Sequence, residues 1–288
     1  MKEFSNISEN KDVAEQPLEV EISSGDTKVA VCPEVGGMVT RFSIGNQEIL
    51  YFDQDSLTEE AVTEKRKPKL GVPFLFPISG PDLKDGILRQ HGGAREVPWV
   101  WQDQNEDSVE VSLKPKNIKN EQLLSEYRKK YGNNFDFTSD VKISVSGKSM
   151  QYSMEFQNMG DKDLPMSPGL HPYFGVDHDK QGEIETNLGD IDFGSRDWDE
   201  GAVICDRPVG EDAWFTLPGV GKVTIESSPE FEKFVVWSKK REDNTGLNEN
   251  YICIEPWVST PDEESGIVLD PMEKKKLSVK FSISELEG

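Results

Sequence analysis

Apolar residues recur at every second position in a series of short segments: LEVEISS (18–24), KVAVC (28–32), MVTRFSI (38–44), SVEVSLK (108–114), FDFTSDVKISVS (135–146) and SMQYSMEFQN (149–158). The series resumes with KVTIES (222–227), KFVVWS (233–238), YICIEPW (251–257), GIVLD (266–270) and LSVKFSIS (277–284). Turn-forming runs such as SGD, SGK, NMGD, PGVG and DNTG lie between them. Period-two alternation marks strands buried on one face. So many short strands predict an all-β protein, a large antiparallel β-sandwich. One stretch, 120–131, breaks the rhythm: Leu123, Leu124, Tyr127 and Tyr131 fall at helical spacing and Gly132 stops the run, predicting one short helix. Strands do not alternate with helices, which argues against a doubly wound parallel sheet, and the Gly-rich phosphate loops of that class find no match. Residues 1–17 are polar and acidic and are expected to form a tail ahead of a single domain over 18–288.

Charge narrows the function. The chain carries 54 Asp+Glu against 32 Lys+Arg, a formal net charge of −22. Such a surface repels phosphate backbones and anionic headgroups, so neither nucleic acid nor membrane is an expected partner. No stretch reaches the roughly 18 apolar residues of a membrane span, and the N-terminus lacks a basic-then-apolar leader, so a cytoplasmic protein is expected. Cys32, Cys205 and Cys253 are widely spaced and odd in number, which suggests small apolar packing rather than disulfides. With three His and no clustered His/Cys motif, a metal site would have to be assembled from scattered ligands, and none is expected. The runs 64–69 and 239–250 read as solvated loops, and His178 as a surface residue.

Three places put reactive side chains where a plain sandwich does not need them. In RQHGGAREVPW (89–99), Gln90, His91 and Arg95 surround a Gly pair that lets a ligand approach the backbone. An amide and a five-donor guanidinium suit a polyhydroxylated or charged ligand; alternatively Arg95 pairs with a carboxylate and His91 caps a turn. In MSPGLHPYFGV (166–176), His171 among apolar and aromatic residues is either a tuned acid/base or a satisfied core histidine. In YICIEPWVSTP (251–261), Glu255 interrupts an apolar and aromatic run. Alternation sends it either to solvent or, beside Trp257 and Tyr251, into a site where its pKa rises and aromatic faces stack on sugar rings.

The ordered set GVPFLFP (71–77), QHGGAR (90–95) with PW (98–99), GLHPYF (169–174), VVWS (235–238) and CIEPW (253–257) resembles the aldose 1-epimerase family, the galactose mutarotase-like proteins, which include hexose-6-phosphate mutarotases. The resemblance spans roughly 18–284 and implies a sandwich with the sugar on its concave face. It places the catalytic acid on His171 and the catalytic base on Glu255, and sugar contacts on Gln90 and Arg95, with His91 lining the pocket. A family Asp ahead of an Arg looks similar to Asp206 in ICDRPV. Two departures stand out: Gly93 occupies a position where the family commonly has an aromatic, and Lys69-Leu70-Gly71 replaces the Arg-Gly-Gly of phosphate-selective relatives. Lys69 can still offer a point charge to a ligand.

The implied reaction is anomer exchange by acid/base ring opening and reclosure, with a small-molecule sugar as partner and no cofactor. Glu255 would take the C1 hydroxyl proton while His171, kept protonated by the anionic field of the chain, protonates the ring oxygen. A free aldose is the first expectation, a hexose 6-phosphate the second. A non-catalytic sugar-binding module on the same sandwich is a competing reading. A glycoside hydrolase is a weaker one, since those use two carboxylates.

Overall fold

The computed structural model describes residues 19–52, 69–242, 245–260 and 266–285; the tail at 1–17 lies outside them. Strands β1 Val20–Ser24, β2 Thr27–Cys32, β3 Met38–Ile44 and β4 Gln47–Glu48 come first, then β5 Phe74–Leu75, β6 Val100–Gln104 and β7 Ser108–Leu113. The helix α1, Glu121–Tyr131, precedes β8 Phe137–Ser146, β9 Ser149–Asn158, β10 Leu164–Met166, β11 Gly169–Leu170 and β12 Tyr173–Gly175. The remainder are β13 Val203–Asp206, β14 Ala213–Leu217, β15 Gly221–Ser227, β16 Lys233–Trp237, β17 Tyr251–Trp257, β18 Ile267–Leu269 and β19 Lys274–Ser284. Every ladder between these strands is antiparallel, and the chain is the all-β sandwich that alternation predicts.

Seven strands in the order β14-β15-β19-β9-β8-β7-β6 form one sheet, and β13-β16-β17-β11-β5, with β12 also on β17, form another. Between them aromatic rings interlock: Phe156 of β9 stacks 5.3 Å from Phe76 and 6.2 Å from Phe74 of β5, while Phe174 of β12 meets Phe215 at 4.8 Å and Phe281 at 6.0 Å. These side chains are fully buried, and each contributes roughly 1.5–3 kcal/mol of transfer free energy. They belong to one contiguous core that reaches from Val20 to Ile283.

Helix α1 forms where helical spacing predicts it. Asn120 caps it, its side-chain oxygen accepting from the Leu123 N–H at 3.0 Å, and Gly132 ends it at φ 97°. Its buried face holds the loop 89–96. The Tyr127 hydroxyl donates to the Gly92 carbonyl at 2.8 Å, and Glu126 grips the Arg89 guanidinium at 2.7 and 2.9 Å. The loop is packed so tightly that a Cβ on Gly92 would lie 2.3 Å from the Phe76 carbonyl oxygen. On Gly93 it would lie 2.7 Å from Leu123, which explains the missing aromatic there: the helix occupies its space.

Candidate active site

Strand β17 divides its side chains between two environments. Ile252 and Ile254 enter the main core, whereas Tyr251, Cys253, Glu255 and Trp257 point to the opposite face. That face is covered rather than wet: Glu255 keeps only 2 % of its surface. Neighbouring strands supply the cover. Val235 and Trp237 of β16 stand opposite Glu255 and Cys253, and Tyr173 of β12 stands opposite Cys253.

His171 comes to this face through the 71–77 segment. Its N–H donates to the Pro73 carbonyl at 3.0 Å, Tyr173 N–H donates to Gly71 O at 2.8 Å, and Phe74 and Leu75 pair with Leu170 and Gly169. The imidazole stacks on Tyr173 at 4.6 Å and meets the edge geometry of Trp237 at 6.1 Å. Its Nε2 lies 3.3 Å from a Glu255 carboxylate oxygen; the other oxygen accepts from the Trp257 indole N–H at 3.0 Å.

His91 and Arg95 close the site. His91 adopts φ 64° and packs 5.6 Å from His171 and 6.2 Å from Trp257. Its Nδ1 contacts the Ser79 carbonyl, an acceptor only, so that nitrogen carries the proton. Arg95 is 91 % buried, and its Nε has no hydrogen-bond partner among the described residues. Among the described residues Arg95 forms no ion pair, though it lies near enough to Glu255 to favour that carboxylate's charged form. His171 Nδ1 and the Tyr251 hydroxyl are likewise buried without a hydrogen-bond partner among the described residues. Orphaned buried polar groups are costly unless a polar ligand satisfies them, and those of Arg95 and His171 belong to residues that act on, or touch, the Glu255 carboxylate.

The expectation that the anionic chain keeps His171 protonated is overturned. Burial, then the nearby His91 and Arg95, push its pKa well below the ordinary imidazole value. Net charge is a sum over the whole surface, whereas a buried group answers to desolvation and its nearest cations. Burial drives Glu255 well above the usual carboxylate range, against the weaker opposing pull of Trp257 and Arg95. Both shifts favour the uncharged forms, a carboxylic acid facing a neutral imidazole across the 3.3 Å contact, which leaves the pair with one proton between them.

The other expected residues lie further out. Gln90 is exposed and Asp206, 86 % exposed, ion-pairs with Lys233 at 2.8 Å on the edge of the sheet. Lys69 is also exposed, its amine against that of Lys239, which lowers its pKa through burial and the like charge. Sequence reasoning did not single out Trp237, Tyr173 or Cys253 as members of the site; period-two spacing from Glu255 was the signal available for Cys253. His171, Cys253 and Glu255 bring ligand-type atoms within 4.8 Å of one another, the assembly of scattered residues that spacing alone does not reveal. His178 is half-buried, against Asn250. No helix among the described residues is long and apolar enough to cross a membrane.

The sandwich shares its fold with galactose mutarotase-like proteins of known structure. The chain belongs to the aldose 1-epimerase family, whose model matches residues 19–204. Among curated relatives, protein LacX of Lactococcus lactis is 24 % identical over 255 residues, 72 % of this chain and 80 % of LacX. A "Putative glucose-6-phosphate 1-epimerase" of Salmonella typhimurium is 30 % identical over 133 residues, covering 46 % of this chain and 40 % of that protein. The crystal structure of Slr1438 from Synechocystis superposes with a TM-score of 0.73 at 23 % identity, covering 98 % of this chain and 99 % of Slr1438. A galactose mutarotase related enzyme from Lactobacillus acidophilus gives 0.67 at 17 % identity, over 93 % and 97 % of the two chains. Strand β17, which carries Glu255, lies beyond the segment matched by the family model but within the fold these structures share.

Proposed function

We propose that the protein is an aldose 1-epimerase that interconverts sugar anomers with Glu255 as base and His171 as acid. The observation that carries this reading is the Glu255–His171 contact of 3.3 Å inside a buried site where Arg95 Nε and His171 Nδ1 lack hydrogen-bond partners among the described residues. Acid/base ring opening needs one group protonated and one not, and a pair holding a single proton is in that state once the proton sits on His171. Glu255, its charge supported by Trp257 and Arg95, then takes the C1 hydroxyl proton while His171 delivers its own to the ring oxygen. Ring opening leaves an aldehyde; rotation about C1–C2 and reclosure with the roles reversed gives the other anomer and restores the pair. Arg95 orients the sugar through its hydroxyls, and Trp237, Trp257 and Tyr173 offer ring faces. His91 shapes the wall.

A second reading, a hexose 6-phosphate as substrate, is favoured by one feature. Lys69 and Lys239 set two amines side by side, two residues before Gly71 and two after Trp237, with the Glu242 carboxylate on Lys239, and a substrate phosphate would compete with that carboxylate for the pair. Exchange NMR between the anomers of glucose, galactose and glucose 6-phosphate tests both. Acceleration of any of them supports the epimerase. Preference for the phosphate, lost in Lys69→Ala and Lys239→Ala, selects the second reading. Sugar binding without acceleration would replace both by a binding module.

A further inference from the structure

We propose that His171, Cys253 and Glu255 form a three-ligand site for a borderline-soft divalent metal of the zinc class, and that its occupation switches the acid/base pair off. The three side chains are 95 %, 100 % and 98 % buried, and their ligand atoms lie within 4.8 Å of one another. Zinc bonds of roughly 2.0–2.3 Å in tetrahedral geometry put ligand atoms about 3.3–3.8 Å apart. The His171 Nε2 to Glu255 contact, at 3.3 Å, already has that length, so only the Cys253 thiol has to close in. Cys253 and Glu255 are two residues apart on β17 and share a face, while His171 approaches from the segment between β11 and β12. One nitrogen, one sulfur and one oxygen are the ligand set that Zn²⁺ accepts in a site with an open fourth position.

The ligand set balances the ion. Binding releases the Cys253 proton and any proton on Glu255, so that thiolate, carboxylate and neutral imidazole together neutralise Zn²⁺. Without that exchange, a dication beside the Arg95 guanidinium would be strongly disfavoured. Among the described residues His171 Nδ1 has no outer hydrogen-bond partner of the kind that fixes the ring in tuned zinc centres, which suits reversible occupation rather than a structural metal. With the metal in place neither Glu255 nor His171 can exchange a proton with a sugar. The inhibitory consequence rests on the epimerase reading; the metal site itself does not.

Cobalt(II) titration of the full chain separates the two. Expected is a thiolate-to-metal absorption band in the near ultraviolet with intense tetrahedral bands in the visible, displaced by zinc and lost in Cys253→Ala and in the isosteric Cys253→Ser. Zinc is expected to inhibit anomer exchange reversibly, a chelator restoring it, and Cys253→Ala to need at least tenfold more zinc to lose half of its own zinc-free rate, whatever that rate is. Absence of the band in the parent chain, or its persistence in both Cys253 variants, overturns the site whatever the activity proves to be. Equal zinc sensitivity of parent and folded variants overturns the role of the thiol. A parent chain that shows the band but accelerates no sugar keeps the metal site and removes the epimerase reading.

Discussion

Glu155 and Glu255 occupy the same kind of position, a carboxylate at an alternating place on a long antiparallel strand, and they behave oppositely. Glu155 on β9 lies on a solvated face, bonded to Lys274 at 2.7 Å and close to Lys276 at 3.3 Å, and these amines hold its pKa below the usual value. Glu255 on β17 touches Trp257 and His171, with Tyr173 nearby, and burial holds its pKa well above the usual value. Strand period alone makes the two indistinguishable. What separates them is the layer over the face: lysines and water in one case, aromatic rings and an imidazole in the other. A surface ion pair contributes about 0–1 kcal/mol. A buried carboxylate is retained against a larger desolvation cost, and chemistry is a reason to retain it.

The comparison is broken most severely at Glu255. Glu255→Gln is expected to lower anomer exchange by about 10²–10⁴-fold, the usual contribution of a positioned acid or base, while Glu155→Gln leaves it unchanged; exchange NMR on folded samples of both reads the contrast. His171→Asn removes the partner proton and is expected to cost a similar factor, smaller where water substitutes as acid. Arg95→Ala removes charge-assisted hydrogen bonds worth roughly 1.5–3 kcal/mol, so KM should rise by roughly tenfold to a hundredfold, with sugar affinity measured by calorimetry falling in step.

pH sharpens the same contrast. The shared proton predicts a bell-shaped kcat/KM profile. Below the depressed His171 step both groups are protonated and no base remains; above the raised Glu255 step neither holds a proton and no acid remains. The acid limb should therefore lie below the ordinary imidazole value of about 6.5 and the alkaline limb above the ordinary carboxylate value of about 4.3. Stability follows with defined signs. Glu255, raised in the fold, contributes stability that is lost as pH rises through its folded pKa, so Glu255→Gln should raise Tm relative to the parent, increasingly at higher pH. A gain of about 1 kcal/mol corresponds to roughly 2–4 °C. Glu155, depressed in the fold, contributes stability present above its unfolded pKa and lost on acidification. Glu155→Gln should accordingly change thermal stability by about 1 kcal/mol or less, and downward.

The strands were legible because period two survives in FDFTSDVKISVS, SMQYSMEFQN and LSVKFSIS, each of which pairs in the seven-stranded sheet. The helix was legible from the spacing of Leu123 to Tyr131, but not its task of bracing the loop that holds His91 and Arg95. His171 and Glu255 stood out as breaks in apolar runs, yet their contact joins residues 84 positions apart and depends on β12 pairing with β17. Gln90 shares a motif with Arg95 but sits on the outside of the turn, where the left-handed backbone at His91 redirects the chain inward. The protonation of His171 was misjudged from net charge because burial, and then His91 and Arg95, act on the ring more strongly than the distant surface carboxylates. Lys239 escaped notice because a charged run reads as a solvated loop until Lys69 is found against it.

The central claim, that one proton shared by Glu255 and His171 performs the chemistry, is tested most directly by measuring α/β anomer exchange of the preferred sugar with the parent chain, Glu255→Gln and Glu155→Gln at matched sugar occupancy. The account predicts exchange by the parent chain and Glu155→Gln, and none above buffer for Glu255→Gln although the sugar still binds. Undiminished exchange by a folded, sugar-bound Glu255→Gln would contradict it.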